Sequence, residues 1–390
     1  MSNSGLEKQY EDKKLKVAWF ASAFVGRRAS GTAQTALKIV EYLLLHEPNK
    51  IEVILILKNE TELGLVQQDK VLSMASKVMM PKVYGNLFKS SRQFYKYSLM
   101  KNSTQIDILH FSVARLYPFY WIFPAKKFFC TFHAGGEITV PQDNFVTSRL
   151  IYNIITKLQW RKLDRIFADS EFGINEIEKH YKIPRQRISL VHLGTDHLWD
   201  IVVSKIYMDK SKINIAVIGR WQNYKNVHSV LKAFIAMDDM FKEKFHIYLI
   251  GKSNQAGASL VKKLVDKISS NLITCFDYLP DSELKYLYQN VNLVMHPSVN
   301  EGFGLPAFEA FGEGAPIAIH SGLPADYYLG DQPQVTAIDM TNLHQIIDLL
   351  SKVSTFERID ASLCRKFLES KSMTWDQICR QYVNYYLNKL

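Results

Sequence analysis

One stretch decides the fold of this chain: Pro297-Ser298-Val299-Asn300-Glu301-Gly302-Phe303-Gly304-Leu305-Pro306-Ala307-Phe308-Glu309-Ala310. Apolar segments at 292–296 and 316–320 flank it, so the order strand, loop, helix, strand is predicted. Such a loop leaves backbone N–H groups and the helix N-terminus pointing away from the sheet, where they attract anionic groups, phosphate in particular. Pro306 suits the first helical turn, because its missing N–H has no partner there.

Two carboxylates flank this predicted anion site. Glu301 lies in the loop and Glu309 about one turn into the helix. At about 1.5 Å of rise per helical residue, the two would contact different parts of one extended ligand. A carboxylate accepts hydrogen bonds from paired hydroxyls, as on a hexose or a ribose. The pattern therefore indicates a nucleotide-sugar site, and the alternative from the spacing alone is an ordinary βαβ turn with two solvated glutamates.

Strands and helices alternate through both halves of the chain. Ser170 is predicted to cap a helix over 171–180, a capped helix is predicted over 281–290, and a third helix is predicted over 258–270. Alternation with right-handed crossovers predicts two parallel, doubly wound sheets. At 390 residues, two α/β domains are the expected organisation.

The stretch from Glu301 to Glu309, with Gly302-Phe303-Gly304 between them, resembles the E-x7-E signature of glycosyltransferase family 4. That family groups retaining sugar transferases with the GT-B architecture. The resemblance implies an α/β fold in which two doubly wound Rossmann-like domains face a central cleft and a C-terminal helix crosses back to the first domain. It covers nearly the whole chain, although the region 63–104 matches nothing specific.

The same resemblance sets the predicted domain boundaries. Residues 1–197 would form the N-terminal, acceptor-side domain, 198–374 the C-terminal, nucleotide-sugar-binding domain, and 375–390 the helix that packs back on the N-terminal domain. The segments 168–171 and 191–196 look like two further landmarks of the family, a serine-led helix and the turn that leaves the first domain. Both are predicted to be architectural.

A pair of cations is predicted to bind a diphosphate. Gly219-Arg220 ends the first strand of the second half, and Lys225 follows in the next loop. Arg220 offers a planar fork and Lys225 a point charge, the two ways in which proteins bind phosphate. The pair looks like the GR…K motif of the family, with Asn226 where the family usually has glycine. Read without the motif, both are surface cations.

The resemblance implies four further groups of site residues. His133 would reach the donor sugar, Gly31 would form a turn near the phosphates and acceptor, and Asp326 would line the nucleotide pocket with Tyr327 and Gly322. The N–H groups of the loop would bind the leaving diphosphate, with these residues: Gly302, Phe303, Gly304 and Leu305. From the residues alone, His133 is equally a satisfied strand-end histidine and Gly31 equally the start of a helix.

Composition narrows the class of protein. A hydrophobic fraction of 47% with 22% charged residues is typical of a globular chain. The four scattered cysteines form no CxxC pair, which argues against a zinc site or a disulfide framework and for a reducing compartment. No signal peptide is visible in 1–16, and no apolar run approaches the roughly 20 residues that span a bilayer. We expect a cytoplasmic protein, with peripheral attachment at the inner face of the cytoplasmic membrane left open.

The net charge of +10 implies an acidic partner. No acidic residue lies between Asp69 and Asp107, where seven lysines and arginines are interleaved with aromatic and apolar side chains. The segment 70–101 therefore reads either as an element for contact with an anionic membrane or as a solvated helix face whose apolar side joins the core. No nucleic-acid recognition module is present, so nucleic acid is not an expected partner.

The function implied is transfer of a hexose from a nucleotide-diphosphate sugar to a glycan or lipid-linked glycan acceptor, in assembly of a cell-surface polysaccharide or glycolipid. No Asp-x-Asp occurs in the sequence, so no metal and no resident cofactor is expected, and Arg220 and Lys225 would take the metal's role. Retention would follow from same-face attack without a protein nucleophile, with Glu301 positioning the sugar and Glu309 the ribose. The alternatives are a sugar-nucleotide epimerase or phosphorylase of the same architecture, and a catalytically silent glycan-binding subunit.

Overall fold

The computed structural model describes residues 14–25, 31–79, 105–114, 116–133, 146–253 and 257–387. The contacts divide the chain into two compact units. One unit contains Met1–Thr131, Leu158–Arg165 and Cys379–Leu390, and the other contains Phe132–Lys157 and Ile166–Ile378. The domain boundaries at 197 and 374 stay a prediction. Most of the basic, aromatic segment 70–101 lies outside the described residues.

The strands form two sheets, as the alternating sequence pattern predicts. The seven-stranded sheet has the order β3-β2-β1-β4-β5-β6-β7, and the six-stranded sheet the order β10-β9-β8-β11-β12-β13. Strand pairs with an assigned register are parallel, for example β8 with β9 and β11 with β12. The strands are β1 Leu15–Phe20, β2 Ile51–Leu57, β3 Ser76–Met79, β4 Ile106–Phe111, β5 Ala125–Phe132, β6 Arg165–Ala168, β7 Ile188–Leu190, β8 Ile213–Ile218, β9 Phe245–Ile250, β10 Ile273–Phe276, β11 Leu293–His296, β12 Ile317–His320 and β13 Val335–Ile338.

Helices separate most of these strands, which is the arrangement that parallel pairing requires. In the described part of the chain the α-helices are α1 Gly31–His46, α2 Glu60–Gln68, α3 Val146–Gln159, α4 Glu171–Tyr181, α5 Val227–Ala236, α6 Asp239–Lys242, α7 Ala258–Val265, α8 Asp281–Asn290, α9 Leu305–Gly312, α10 Pro324–Leu329, α11 Leu343–Ser351, α12 Ala361–Ser370 and α13 Trp375–Leu387. None of these described helices is both long enough and apolar enough to cross a bilayer.

The six-stranded sheet is buried on both faces. Along β8, Ile215 and Val217 pack into one apolar cluster, whereas Ala216 and Ile218 pack into the other. Successive side chains of a strand point to opposite faces, so a continuous apolar run supplies both layers at once. This accounts for strands that read as uninterrupted apolar segments in the sequence.

The predicted helix boundaries are confirmed in part. Ser170 caps α4 as predicted, because its Oγ accepts a hydrogen bond from the N–H of Gly173 at 2.9 Å. The helix predicted over 281–290 has these bounds in α8, but it has no side-chain cap, because Pro280 occupies the N-cap position. The helix predicted over 258–270 ends at Val265, where the bonding changes to the tighter i→i+3 pattern of a 3₁₀ turn.

The second half of α13 packs within the first contact unit, and the predicted return of the whole segment 375–390 to the N-terminal domain stays a prediction. The Oη of Tyr386 lies 2.6 Å from Nδ1 of His110, a buried residue of β4. Burial raises the pKa of Tyr386 well above its usual value, so the hydroxyl stays protonated. The Oη of Tyr382 lies 3.3 Å from Oγ1 of Thr131. Each buried hydroxyl therefore has a polar partner, which offsets its loss of hydration.

The first turn of α13 packs on Gly194 in the second contact unit. The N–H of Trp375 donates to Oδ1 of Asp196 at 2.7 Å, and both the N–H and the Oγ1 of Thr195 donate to the carbonyl of Met373. A Cβ on Gly194 would lie 2.3 Å from Cδ2 of the Trp375 ring, closer than any real contact. Glycine at 194 is therefore what lets the indole pack against this turn.

We predict that Gly194→Ala lowers the apparent Tm by several degrees, since overpacking a filled site costs roughly 1–3 kcal/mol. Gly64→Ala is the matched control, because it lies within α2 and its added Cβ would meet nothing within 4 Å. That variant should leave the Tm unchanged or raise it, since alanine favours a helix by about 1 kcal/mol over glycine. Differential scanning fluorimetry measures both, and an unchanged Tm for Gly194→Ala would contradict the packing described.

Candidate active site

The loop after β11 and the start of α9 have the geometry predicted for an anion site. Gly304 is the N-cap of α9 with φ 88° and ψ 43°, a left-handed conformation that glycine adopts without strain. Within the described part of the chain, the N–H groups of Gly302, Phe303 and Gly304 donate to no protein acceptor. These buried groups and the positive end of the helix dipole therefore have the polarity that favours an anionic ligand.

Phe303 contributes to this site through its backbone alone. Its side chain is 3% exposed and stacks on Phe308, with ring centroids 4.3 Å apart. The ring belongs to the apolar core of the second unit, so it anchors the loop. Leu305 is half-buried at the first residue of α9.

Glu301 is held by two basic side chains. Its Oε1 accepts a hydrogen bond from Nζ of Lys225, and Nε2 of His296 lies 3.1 Å from the same oxygen. Nδ1 of His296 in turn lies 3.3 Å from the carbonyl of Ile218, the last residue of β8. His296 therefore connects the C-terminal ends of β11 and β8 and also contacts the carboxylate of Glu301.

The surroundings keep Glu301 ionised. Burial by itself would raise its pKa, but the charge of Lys225 and the neighbouring His296 outweigh burial. The net effect holds the pKa of Glu301 well below the ordinary 4.5. Lys225 and Glu301 thus form a mostly enclosed ion pair beside the predicted phosphate-binding loop.

The loop that carries Lys225 passes close to the end of β8. A Cβ on Gly219 would lie 3.0 Å from Cγ1 of Val227 and 3.4 Å from Cβ of Lys225, so glycine permits this approach. Arg220 follows directly and is half-buried. Asn226 adopts φ 56° and ψ 19°, a left-handed conformation that asparagine tolerates better than most residues. The departure from the family's glycine therefore keeps the backbone geometry.

Glu309 is also enclosed, with its side chain 9% exposed. The Oη of Tyr288 donates to Oε2 of Glu309 at 3.1 Å, and Nε2 of His197 lies 3.3 Å from Oε1. Burial and then the adjacent Glu309 raise the pKa of Tyr288 well above its usual value, so its hydroxyl remains a donor. The role of Glu309 at a ribose stays a prediction.

His133 pairs with a carboxylate that the sequence reading treated as architectural. Nδ1 of His133 lies 3.3 Å from Oδ2 of Asp169, and both side chains are buried. The carbonyl of Asp169 accepts a hydrogen bond from Nδ1 of His192 at 3.1 Å. Burial lowers the pKa of His192 despite this bond, which favours the neutral imidazole. The Oγ of the adjacent Ser170 donates to the carbonyl of Gly302 at 2.6 Å, so this turn contacts the phosphate loop.

The remaining predicted residues have local partners. Oδ2 of Asp326 accepts a hydrogen bond from the N–H of Gly322 at 2.7 Å, across a turn in which Gly322 has φ 77°. Asp326 thus stabilises the loop after β12, and its place in a nucleotide pocket stays a prediction. The side chain of Tyr327 is mostly exposed. Gly31 is the first residue of α1 in the other contact unit, and its carbonyl accepts from Oγ1 of Thr35.

Sequence reasoning missed four side chains that contact the predicted ones: His296, His197, Tyr288 and Asp169. His296 and Asp169 had a usable signal, because each is a polar residue at or just after the end of an apolar strand. His197 and Tyr288 had none, since an irregular segment and a helix bring them to Glu309 only in the folded chain.

Two family models match the chain. The model described as Glycosyltransferase Family 4 matches residues 45–197, and that described as Glycosyl transferases group 1 matches residues 204–364. The O-antigen chain mannosyltransferase RfbU of Salmonella typhimurium is 23% identical over 266 residues, which cover 61% of this chain and 72% of that protein.

Two solved structures are similar over nearly their whole length. Sucrose-phosphate synthase from Thermosynechococcus elongatus has a TM-score of 0.73 at 14% identity, covering 96% of this chain and 98% of that one. HepE from Anabaena, solved with UDP and glucose, has a TM-score of 0.68 at 14% identity, covering 96% and 100%. The fold is the two-domain GT-B fold. The chain belongs to the glycosyltransferases of family 4 type and is an enzyme of that class.

We predict that Glu301 stabilises the fold in a pH-dependent way. Its pKa is depressed in the folded state, so its contribution is fully present above the ordinary value of 4.5 and is lost as the pH falls further. Glu301→Gln should lower the free energy of unfolding at pH 7 by roughly 3 kcal/mol, because Lys225 loses its buried partner. The difference from the unmodified chain should stay constant down to about pH 5 and shrink below it. Urea unfolding from pH 7 to pH 3 tests this, and a pH-independent difference would contradict it.

Proposed function

We propose that this enzyme is a retaining, metal-independent glycosyltransferase that moves a hexose from a nucleotide-diphosphate sugar to a glycan or lipid-linked glycan acceptor. The observation that carries the proposal is the ionised Glu301 held by Lys225 beside the N–H groups of 302–304, which donate to no acceptor in the described part of the chain. A cation, backbone donors and a carboxylate are thus brought to one strand end. The cation and the backbone donors would bind the phosphates, and the carboxylate would bind sugar hydroxyls. A nucleotide sugar presents both kinds of group to one site.

The reaction breaks the bond between the anomeric carbon and the phosphate oxygen, and the departing diphosphate keeps the electron pair. The acceptor hydroxyl oxygen forms the new bond from the same face, and its proton passes to the leaving phosphate oxygen. Negative charge therefore builds on the diphosphate, where Lys225, Arg220 and the N–H groups of 302–305 would stabilise it. Donors already aimed at such a charge are commonly the largest contribution to catalysis, about 3–4 kcal/mol each.

The carboxylates of Glu301 and Glu309 would each bind hydroxyls of one sugar ring of the donor. Glu301 would accept hydrogen bonds from hydroxyls of the transferred hexose, and Glu309 from the ribose. His133 would contact the donor sugar through the ring nitrogen that does not face Asp169. Because Nδ1 faces that carboxylate at 3.3 Å, the pairing fixes the orientation of the imidazole.

Mannose is the first sugar to test, because the similar Salmonella protein is named an O-antigen chain mannosyltransferase. Its name also supports a place in cell-surface polysaccharide assembly. HepE was solved with UDP and glucose, so uridine nucleotides belong in the same comparison. A cytoplasmic location at the inner face of the membrane, with contact through 70–101, completes the proposal and rests on the charge of that segment.

We expect Lys225→Ala and Glu301→Ala each to reduce the turnover number roughly 100- to 1000-fold, the effect of removing one preorganised charge-stabilising group. The expected readout is release of free nucleotide in the presence of acceptor. Lys232→Ala and Glu357→Ala are matched controls, because both remove exposed charges away from the loops described. Circular dichroism establishes that each variant is folded. Near-normal turnover in both site variants would show that the site is assigned wrongly.

A thermal-shift panel identifies the donor. The preferred nucleotide sugar should raise the Tm, since a ligand that binds only the folded state stabilises it by mass action. Guanosine and uridine diphosphates carrying mannose, glucose or galactose form the panel, and the free diphosphates are the controls for the base. Turnover with the chosen donor should be unchanged by EDTA, because lysine and arginine take the place of a metal. Loss of turnover in EDTA that Mg²⁺ or Mn²⁺ restores would overturn metal independence.

A further inference from the structure

We infer that Asn226 is a positioning residue that fixes Lys225 opposite Glu301, and so sets the cation at the donor diphosphate; this rests on the proposed function. Asn226 is 3% exposed and has a left-handed backbone. A glycine would supply the same backbone conformation without strain. The asparagine side chain must therefore be explained by what it bonds to.

Every polar atom of the Asn226 side chain has a protein partner. Nδ2 donates to the carbonyl of Met340 at 2.8 Å and to the carbonyl of Pro297 at 3.2 Å. Oδ1 accepts from Oγ of Ser229 at 2.6 Å. A primary amide has two donors and an acceptor, and all three functions are used here. The side chain joins the loops that follow β8, β11 and β13.

The bond to Pro297 is the one that reaches the partner of Lys225. Pro297 begins the loop that carries Glu301. On the other side of Lys225, the carbonyl of Tyr224 accepts from the N–H of Val299 at 2.9 Å and from Oγ of Ser298 at 3.2 Å. Both chain neighbours of Lys225 are therefore fastened to the same loop.

The hydrogen bonds of Tyr224 and Asn226 fix the position of the Lys225 Cα, from which its flexible side chain extends. Lysine carries its charge on four rotatable carbons, so its position depends on where its Cα is held. A displacement of about 1 Å at a reacting centre can cost about 100-fold in rate. Asn226 limits this displacement, since its amide couples the Cα of the adjacent Lys225 to the loop of Glu301.

The decisive variant is Asn226→Gly, which keeps the left-handed backbone and removes all three bonds. We expect turnover to fall roughly 10- to 100-fold and the affinity for the nucleoside diphosphate to fall as well. Lys182→Gly is the matched control, because Lys182 is an exposed residue with φ 57° and its replacement should leave both quantities unchanged. Ser229→Ala removes only the bond to Oδ1 and should stay within a few-fold of the unmodified enzyme.

A double-variant cycle separates positioning from general weakening of the fold. If Asn226 acts through Lys225, then Asn226→Gly should have no further effect on turnover or on diphosphate affinity in a Lys225→Ala background. Calorimetric titration with the nucleoside diphosphate chosen by the panel measures the affinity. Additive effects of the two substitutions would overturn the inference, and so would normal turnover of Asn226→Gly.

A readout without substrate distinguishes this inference from the proposed function. With Lys225 no longer held, the acid-dependent loss of stability assigned to Glu301 should become smaller in Asn226→Gly, and it should remain in Lys182→Gly. An unmodified chain that neither binds nucleotide sugars nor releases nucleotide would refute the proposed function only. An acid dependence that is unchanged in Asn226→Gly would refute the role of Asn226, whatever the enzyme transfers.

Discussion

The ion pair between Lys225 and Glu301 is the interaction on which the site depends. Each ion loses several kcal/mol of hydration on burial, and only close opposite charge with further polar partners offsets that loss. His296 supplies such a partner from the end of β11, and its other nitrogen lies against the carbonyl at the end of β8. Because the pair joins two adjacent strand ends, the parallel order of the six-stranded sheet is a precondition for it.

The ion pair of Lys225 and Glu301 also bears on how a nucleotide-sugar donor would bind. Under the proposed function, Lys225 turns part of its charge toward a diphosphate while it still contacts Glu301. The carboxylate then has its second oxygen for a sugar hydroxyl, and its low pKa keeps it an acceptor throughout the physiological range. A phosphate that leaves the site returns Lys225 to a preformed partner.

The sequence predicts the site where local rules decide geometry. The first-turn Pro306 and the cap Ser170 follow from backbone chemistry, and the structure confirms their places. Tyr288 and His197 could not be predicted as partners of Glu309. Both lie far from Glu309 in the sequence, and only the packing of the folded chain brings them to it. The helix over 281–290 shows a failure of a local rule, since its bounds are as predicted but Pro280 at the N-cap has no side-chain acceptor to supply the predicted cap.

Three mostly enclosed carboxylates of the second unit each face a histidine: Glu301 with His296, Glu309 with His197, and Asp169 with His133. The pairs of Glu309 and Asp169 join segments distant in the chain, whereas His296 lies five positions before Glu301. Each contact orients its carboxylate before any ligand binds. Passive recognition of a glycan needs groups that bind hydroxyls, but it gains little from an ionised Glu301 held at such a desolvation cost. Catalysis does gain from preorganised charged groups, because they need no reorientation when charge develops at the transition state. The pattern of burial therefore favours a catalyst over a silent binding subunit.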